Sequence, residues 1–203
     1  LITTRGTQWL FLAALFIITG GGIVQGNTEG LFHLIANGRV VGVPFPILLL
    51  LLLAAAIWFL AAQTGLGKHI YAYGSNKEGL RFAGVDANAV YLKTFVLMGL
   101  IVGVAGIVLS SRLGGVRPTE GNRYLIVVLT AVLLSGVSLN GGVGSLFHVL
   151  IATVVLGVID NGMVLLAVEY KFQQMIKGCV FILAVLYNNY TTKQLAALRV
   201  SKR

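Results

Sequence analysis

Charge is what this 203-residue chain has least of: only 10% of its residues are Asp, Glu, Lys or Arg, against about 25% in an ordinary soluble domain. Acidic residues are scarcer still, 6 against 15 Lys and Arg, for a net charge of +9. Cys179 is the single cysteine, which excludes an intramolecular disulfide and a cysteine-based metal site. With 3 prolines beside 26 glycines, a collagen-like or disordered chain is excluded, and closely packed helices are favoured. What is present in excess is apolar surface: 57% of the residues are hydrophobic and the mean hydropathy is +0.91. Most of that surface cannot face water, so the chain reads as all-α, a polytopic transmembrane helix bundle.

Apolar stretches of about 17 to 25 residues can cross a hydrocarbon core as helices. They fall at residues 6–24, 44–63, 90–111, 124–139, 145–168 and 172–187, giving about six spans. The second is the plainest, with six consecutive leucines from Leu48 to Leu53. The fourth and sixth are short, so tilt or incomplete crossing is expected there. Transmembrane strands would alternate in character, and these runs do not, so a barrel is excluded. Residues 1–24 lack a basic start and a small-residue cleavage site and are not read as a signal peptide.

Counting Lys and Arg on alternate sides sets the orientation. Arg5, Lys68, Lys77, Arg81, Lys93, Lys193, Arg199, Lys202 and Arg203 make nine on one side, and Arg39, Arg112, Arg117, Arg123 and Lys171 make five on the other. The richer side is cytoplasmic, so the loop at 64–89 and a basic tail at 188–203 face the cytoplasm. The membrane thus accounts for the basic charge, and no nucleic-acid partner is called for.

Catalytic or metal chemistry needs ionisable groups that converge. His33, His69 and His148 lie far apart with no metal-ligand spacing, and there is no nucleophile elbow. Gly65-Leu66-Gly67-Lys68 fails as a phosphate loop, since one residue rather than four separates the glycines and His69 follows the lysine. Cys179 sits among apolar residues, where a buried, inert thiol is expected. The chain is therefore no enzyme, with no catalytic residues, no metal and no cofactor. Asp160 falls about 22 Å along its helix from Ser145 at about 1.5 Å per residue, near the outer interface and solvated there. Lys177, inside the last span, is expected to snorkel outward.

The loop at 64–89 is where the apolar run stops and charge appears, and long loops are usually functional. Ser75 followed by Glu78 has the spacing of a capping box, and Gly84 supplies a stop. A short surface helix is thus expected over 76–83, with Leu80 and Phe82 giving it an apolar face.

The run Thr64-Gly65-Leu66-Gly67-Lys68-His69-Ile70-Tyr71-Ala72-Tyr73-Gly74-Ser75-Asn76, then Ala83-Gly84-Val85, resembles the cytoplasmic coupling loop of monosaccharide permeases of ATP-binding-cassette (ABC) importers, the class serving ribose, xylose, galactose and related sugars. Further stretches fit the same family in the same order: Ala105-Gly106-Ile107 with Ser111-Arg112-Leu113 and Pro118-Thr119, the glycine-rich Gly136-Val137-Ser138-Leu139-Asn140-Gly141-Gly142-Val143-Gly144-Ser145, then Asn161-Gly162 and Gln173-Gln174-Met175-Ile176-Lys177-Gly178. The resemblance covers essentially the whole chain, which looks like the C-terminal part of a permease and forms one transmembrane domain.

The resemblance implies an inner (plasma) membrane subunit that moves a monosaccharide while a separate ABC ATPase hydrolyses ATP. It implies that Asn76, Lys77, Glu78, Arg81, Phe82, Ala83 and Gly84 contact that ATPase through the coupling helix. Arg112, Arg117, Glu120 and Arg123 would receive a periplasmic or extracytoplasmic sugar-binding protein, or solvate the outer loop among lipid headgroups. A second permease subunit, identical or related, would complete the pathway, past Thr130, Ser135, Ser138 and Asn140, unless these hydroxyls and amides bond to their own helices. The family usually carries an Ala pair where Gly79 and Leu80 stand, and acidic residues where Leu125 and Val127 stand. Three alternatives remain open: an ion-coupled secondary transporter, an inactive permease fragment, and an amino-acid permease of related architecture.

Overall fold

The computed structural model describes residues 2–26, 31–40, 42–138 and 141–200, with side chains placed for these except 2, 31 and 189–200. The described chain is all-α apart from four two-residue strands. Three of its helices are long and apolar enough to cross a membrane. It divides into two compact units, residues 1–64 with 91–122 and residues 65–90 with 123–203.

The first unit begins with α1 (Ile2–Thr19), which stops short of the expected residue 24 because Gly20 and Gly21 take φ of +61° and +74°, a left-handed turn that ends a helix. β1 (Val24–Gln25), α2 (Leu31–Asn37), β2 (Arg39–Val40) and β3 (Val43–Pro44) follow. α3 (Phe45–Gln63) carries the leucine run and buries none of its residues, as a helix solvated by lipid should. α6 (Ala87–Leu113) is the longest of the three spanning candidates, and its C-terminal end is tied to α2. There the buried Ser111 hydroxyl donates to the Phe32 carbonyl and accepts from the Ala36 N–H at 3.1 Å. β4 (Gly115–Val116) pairs antiparallel with β1, Val24 opposite Val116.

The second unit holds the remaining helices. α4 (Gly65–Ser75) and α5 (Lys77–Phe82) occupy most of the segment expected to be loop. α7 (Tyr124–Leu134) has only 11 residues and is about 16 Å long, roughly half of the hydrocarbon thickness of about 30 Å. The fourth expected span is thus shortened: Gly136 at φ +76° closes the helix, its N–H bonding Leu133 and that of Val137 bonding Val132, a Schellman end. α8 (Leu146–Leu165) and α9 (Tyr170–Val200) follow. α9 runs 31 residues, so the expected basic tail continues the last helix to Val200.

α8 ends in the same motif, with Ala167 and Val168 N–H groups bonding Val164 and Met163, but here the left-handed residue is Ala167, at φ +52°. An L side chain there costs about 1–2 kcal/mol, partly offset by the greater unfolded-state freedom of glycine. Ala167→Gly is therefore expected to raise stability by about 0.5–1 kcal/mol, read as a higher thermal unfolding midpoint in detergent. A lower midpoint would show that the strain is not there.

Candidate functional site

α4 and α5 form a compact hairpin. Its core is Leu80, Ala87 and Val90, with Ile70, Tyr73 and Val85 packed against them. The cap of α5 is Asn76 rather than Ser75: the Asn76 side-chain oxygen accepts from the Gly79 N–H at 2.9 Å. Ser75 instead closes α4, its hydroxyl donating to the Tyr71 carbonyl at 3.0 Å. The capping-box spacing was thus one residue out of register, because an asparagine beside the serine caps a helix as well. At the other end Gly84, φ +78°, sends its N–H to Arg81 while that of Val85 reaches Leu80. The Asp86 carboxylate then accepts from the Asn88 N–H at 2.8 Å and opens α6.

The apolar residues of α5 part company. Leu80 is 5% exposed and anchors the helix, whereas Phe82 is 89% exposed. A phenylalanine that far out on a capped helix has no role in the hairpin's own packing. Asn76, Glu78, Arg81, Ala83 and Gly84 are exposed around it. Lys77 is exposed too, with its ammonium 5.6 Å from the Tyr73 ring centroid, within cation–π range.

Of the expected pathway residues, Thr130 is buried and its hydroxyl donates to Ile126 at 2.7 Å, while that of Ser135 donates to Val132 at 2.6 Å. Both satisfy their own helix, as membrane hydroxyls commonly do. The Ser138 N–H bonds the Val143 carbonyl. Asn140 lies outside the described residues. Ser135 also borders an open cleft of about 510 Å³ with Leu134, Gly136, His148, Ile151, Ala152, Val155 and Tyr187. His148 and Tyr187 were not read as pathway residues, because only the pairing of α7, α8 and α9 brings them beside Ser135.

Arg112 is exposed in the last turn of α6 and Arg117 in the segment that follows, while Glu120 and Arg123 bound the 3₁₀ turn leading into α7. Asp160 and Lys177 come together. Expected separately, one solvated and the other snorkelling, they meet in an ion pair at 2.9 Å, with side chains 36% and 26% exposed. The pair borders a small cavity with Ile126, Val127, Thr130, Leu156, Ile159, Ile176 and Val180.

Asn188 is a polar residue to which the sequence motifs assign no role. Buried against α7, its amide donates to the Leu133 and Val137 carbonyls at 3.4 and 3.1 Å, satisfying the end of the short helix. The signal was there, a polar residue at the close of an apolar run. Cys179 is exposed, not buried, since α9 turns Ala184 and Asn188 inward and Cys179 lies off that face. Among the described residues no group of three metal-ligating side chains occurs.

The sequence matches a family model described as "Branched-chain amino acid transport system / permease component" over residues 1–185. It is 36% identical over 191 residues to the ribose import permease protein of Escherichia coli (strain K12), covering 93% of this chain and 60% of that protein. To the D-allose transport system permease protein of the same strain it is 31% identical over 192 residues, covering 95% and 59%. To the xylose transport system permease protein of that strain it is 38% identical over 153 residues, covering 75% and 39%. The chain thus spans about 60% of the length of the first two relatives. No solved structure matches it.

Proposed function

The chain belongs to the family of permease components described for branched-chain amino acid transport systems, and from that premise we propose that it is a membrane subunit of an ABC importer that moves a monosaccharide. The family description names amino acids, yet similarity to ribose, allose and xylose permeases favours sugars. The chemistry agrees. The cleft beside Ser135 offers a hydroxyl, an imidazole and a phenol, without the carboxylate and ammonium a zwitterion would need, and Asp160 and Lys177 are spent on each other.

The observation that carries the reading is Phe82, held outward on a helix capped at both ends. It is an anchor for a partner, and the partner is the ABC ATPase. Asn76, Lys77, Glu78, Arg81, Ala83 and Gly84 surround it, with exposed charges contributing about 0–1 kcal/mol per pair and apolar contact more. Arg112, Arg117, Glu120 and Arg123, which the charge count assigns to the extracytoplasmic face, receive the sugar-binding protein, and a second permease subunit completes the pathway. The C-terminus and the α4–α5 hairpin are cytoplasmic.

The test is uptake of labelled ribose, xylose and allose into proteoliposomes holding the permease and its ATPase, with binding protein outside and ATP inside. Uptake that needs ATP and the binding protein is the expected result. Uptake driven by a proton or sodium gradient without the ATPase would replace this reading with a secondary transporter. ATP-dependent uptake of leucine and not of sugars would move the cargo to amino acids.

A further inference from the structure

The α4–α5 hairpin meets the glycine-rich turn between α7 and α8 backbone to backbone. A Cβ added to Gly74 would overlap the Gly142 nitrogen and lie 3.1 Å from the Gly141 carbonyl carbon. One added to Gly141 would lie 3.0 Å from the Gly74 Cα, and one added to Gly142 would overlap the Ser75 hydroxyl and lie 2.8 Å from its Cα. Gly141 and Gly142 also take φ of +88° and +76°, so no L side chain fits either position without strain. Beside this crossing the Tyr71 hydroxyl donates to the Gly144 carbonyl at 3.2 Å.

At Gly74 the two backbones meet directly, and the side chain beside them is the short Ser75, whose hydroxyl is held to the Tyr71 carbonyl. A displacement of several ångströms at α5 cannot be absorbed by rotamer changes there, because close-packed backbone is nearly incompressible. The turn at 141–144 leads directly into α8, whose first residues include His148 on the cleft beside Ser135.

We propose that the crossing of Gly74 with Gly141 and Gly142 is the joint that carries movement of the α4–α5 hairpin into α8 and the adjoining cleft. Gly74, Gly141 and Gly142 are positioning residues for transport; this rests on the reading of α5 as the ATPase contact. The joint works as a rigid pair: the two segments move together and do not part during the cycle.

The experiment uses the assembled permease, ATPase and binding protein in proteoliposomes, with labelled ribose, and reads sugar moved per ATP hydrolysed. Gly142→Ala and Gly74→Ala are expected to leave the ATPase bound and hydrolysis within twofold, while uptake falls at least tenfold. An unchanged ratio of uptake to hydrolysis in an assembled variant complex overturns the joint. Because either variant can fail to assemble, a second test keeps the backbone intact. With Cys179→Ser as background, Ser75→Cys and Val143→Cys, both exposed, are joined by a short thiol-to-thiol cross-linker. A rigid joint retains at least half of the uptake after cross-linking; arrest by the cross-link overturns it. Wild-type complex that takes up ribose without its ATPase refutes the underlying functional reading instead, and is told apart because it needs no variant.

Discussion

Asp160→Asn should destabilise the protein by about 2–4 kcal/mol, and Lys177→Gln in the same chain should restore most of that loss. The pair lies about five residues from the end of α8 and seven from the start of α9, which puts both groups about 7–10 Å inside the ends of their helices. Around them are Ile126, Val127, Leu156, Ile159, Ile176, Val180 and Thr130, whose hydroxyl donates to Ile126, so neither charge has another charged neighbour in that cavity. Neutralising one leaves its partner without a counter-charge in a low-dielectric setting, which costs more than the intact pair contributes. The double variant carries two neutral amides of similar shape and no stranded charge. The measurement is the thermal unfolding midpoint and the folded yield in lipid nanodiscs for the two single variants and the double. If Asp160→Asn alone lies within about 0.5 kcal/mol of the parent, the size of an ordinary surface substitution, the charges are solvated and the pair does not hold α8 to α9.

That pairing could not be read from sequence, where 17 positions separate Asp160 from Lys177 and each residue suggests its own route to water. It emerges only when α8 and α9 fold back as a hairpin. Hydropathy located α3, α6 and α8 to within three residues at either end, because a lipid-facing helix advertises itself by composition alone. It overran α7, since the residues up to Leu139 stay largely apolar while the backbone has already left the helix at Gly136. Composition carries no record of a left-handed φ. Polarity likewise misled over residues 65–75, read as loop although they form α4. Ile70 and Tyr73 of that segment pack against the cluster of Leu80, Ala87 and Val90, a tertiary contact that no local pattern displays. The α4–α5 hairpin is legible as a place, through Gly84 and the residues around Phe82. Its inner and outer faces are not, nor is its contact with Gly142.

Leu80 and Phe82 divide the hairpin's work, one buried in it and the other exposed. Leu80→Ala removes a side chain from the middle of the small cluster with Ala87, Val90, Ile70, Tyr73 and Val85, and deletions of that kind cost about 2–5 kcal/mol. A cluster of this size has few other contacts to compensate, so amide hydrogen exchange over residues 77–90 is expected to accelerate by at least tenfold. Phe82→Ala removes a side chain that is 89% exposed and should leave that exchange unchanged. Under the proposed docking role its effect falls on the ATPase instead, since a central aromatic anchor at an interface is worth about 2 kcal/mol or more. ATPase affinity, titrated against permease in nanodiscs, should therefore drop by about thirtyfold. Leu80→Ala weakens both folding and docking, and Phe82→Ala weakens docking alone. That separation is what a rigid lever requires, with one face built to hold its shape and the other to be pushed. Undiminished ATPase affinity in Phe82→Ala would leave α5 as a structural clasp and move the ATPase contact elsewhere on the cytoplasmic surface.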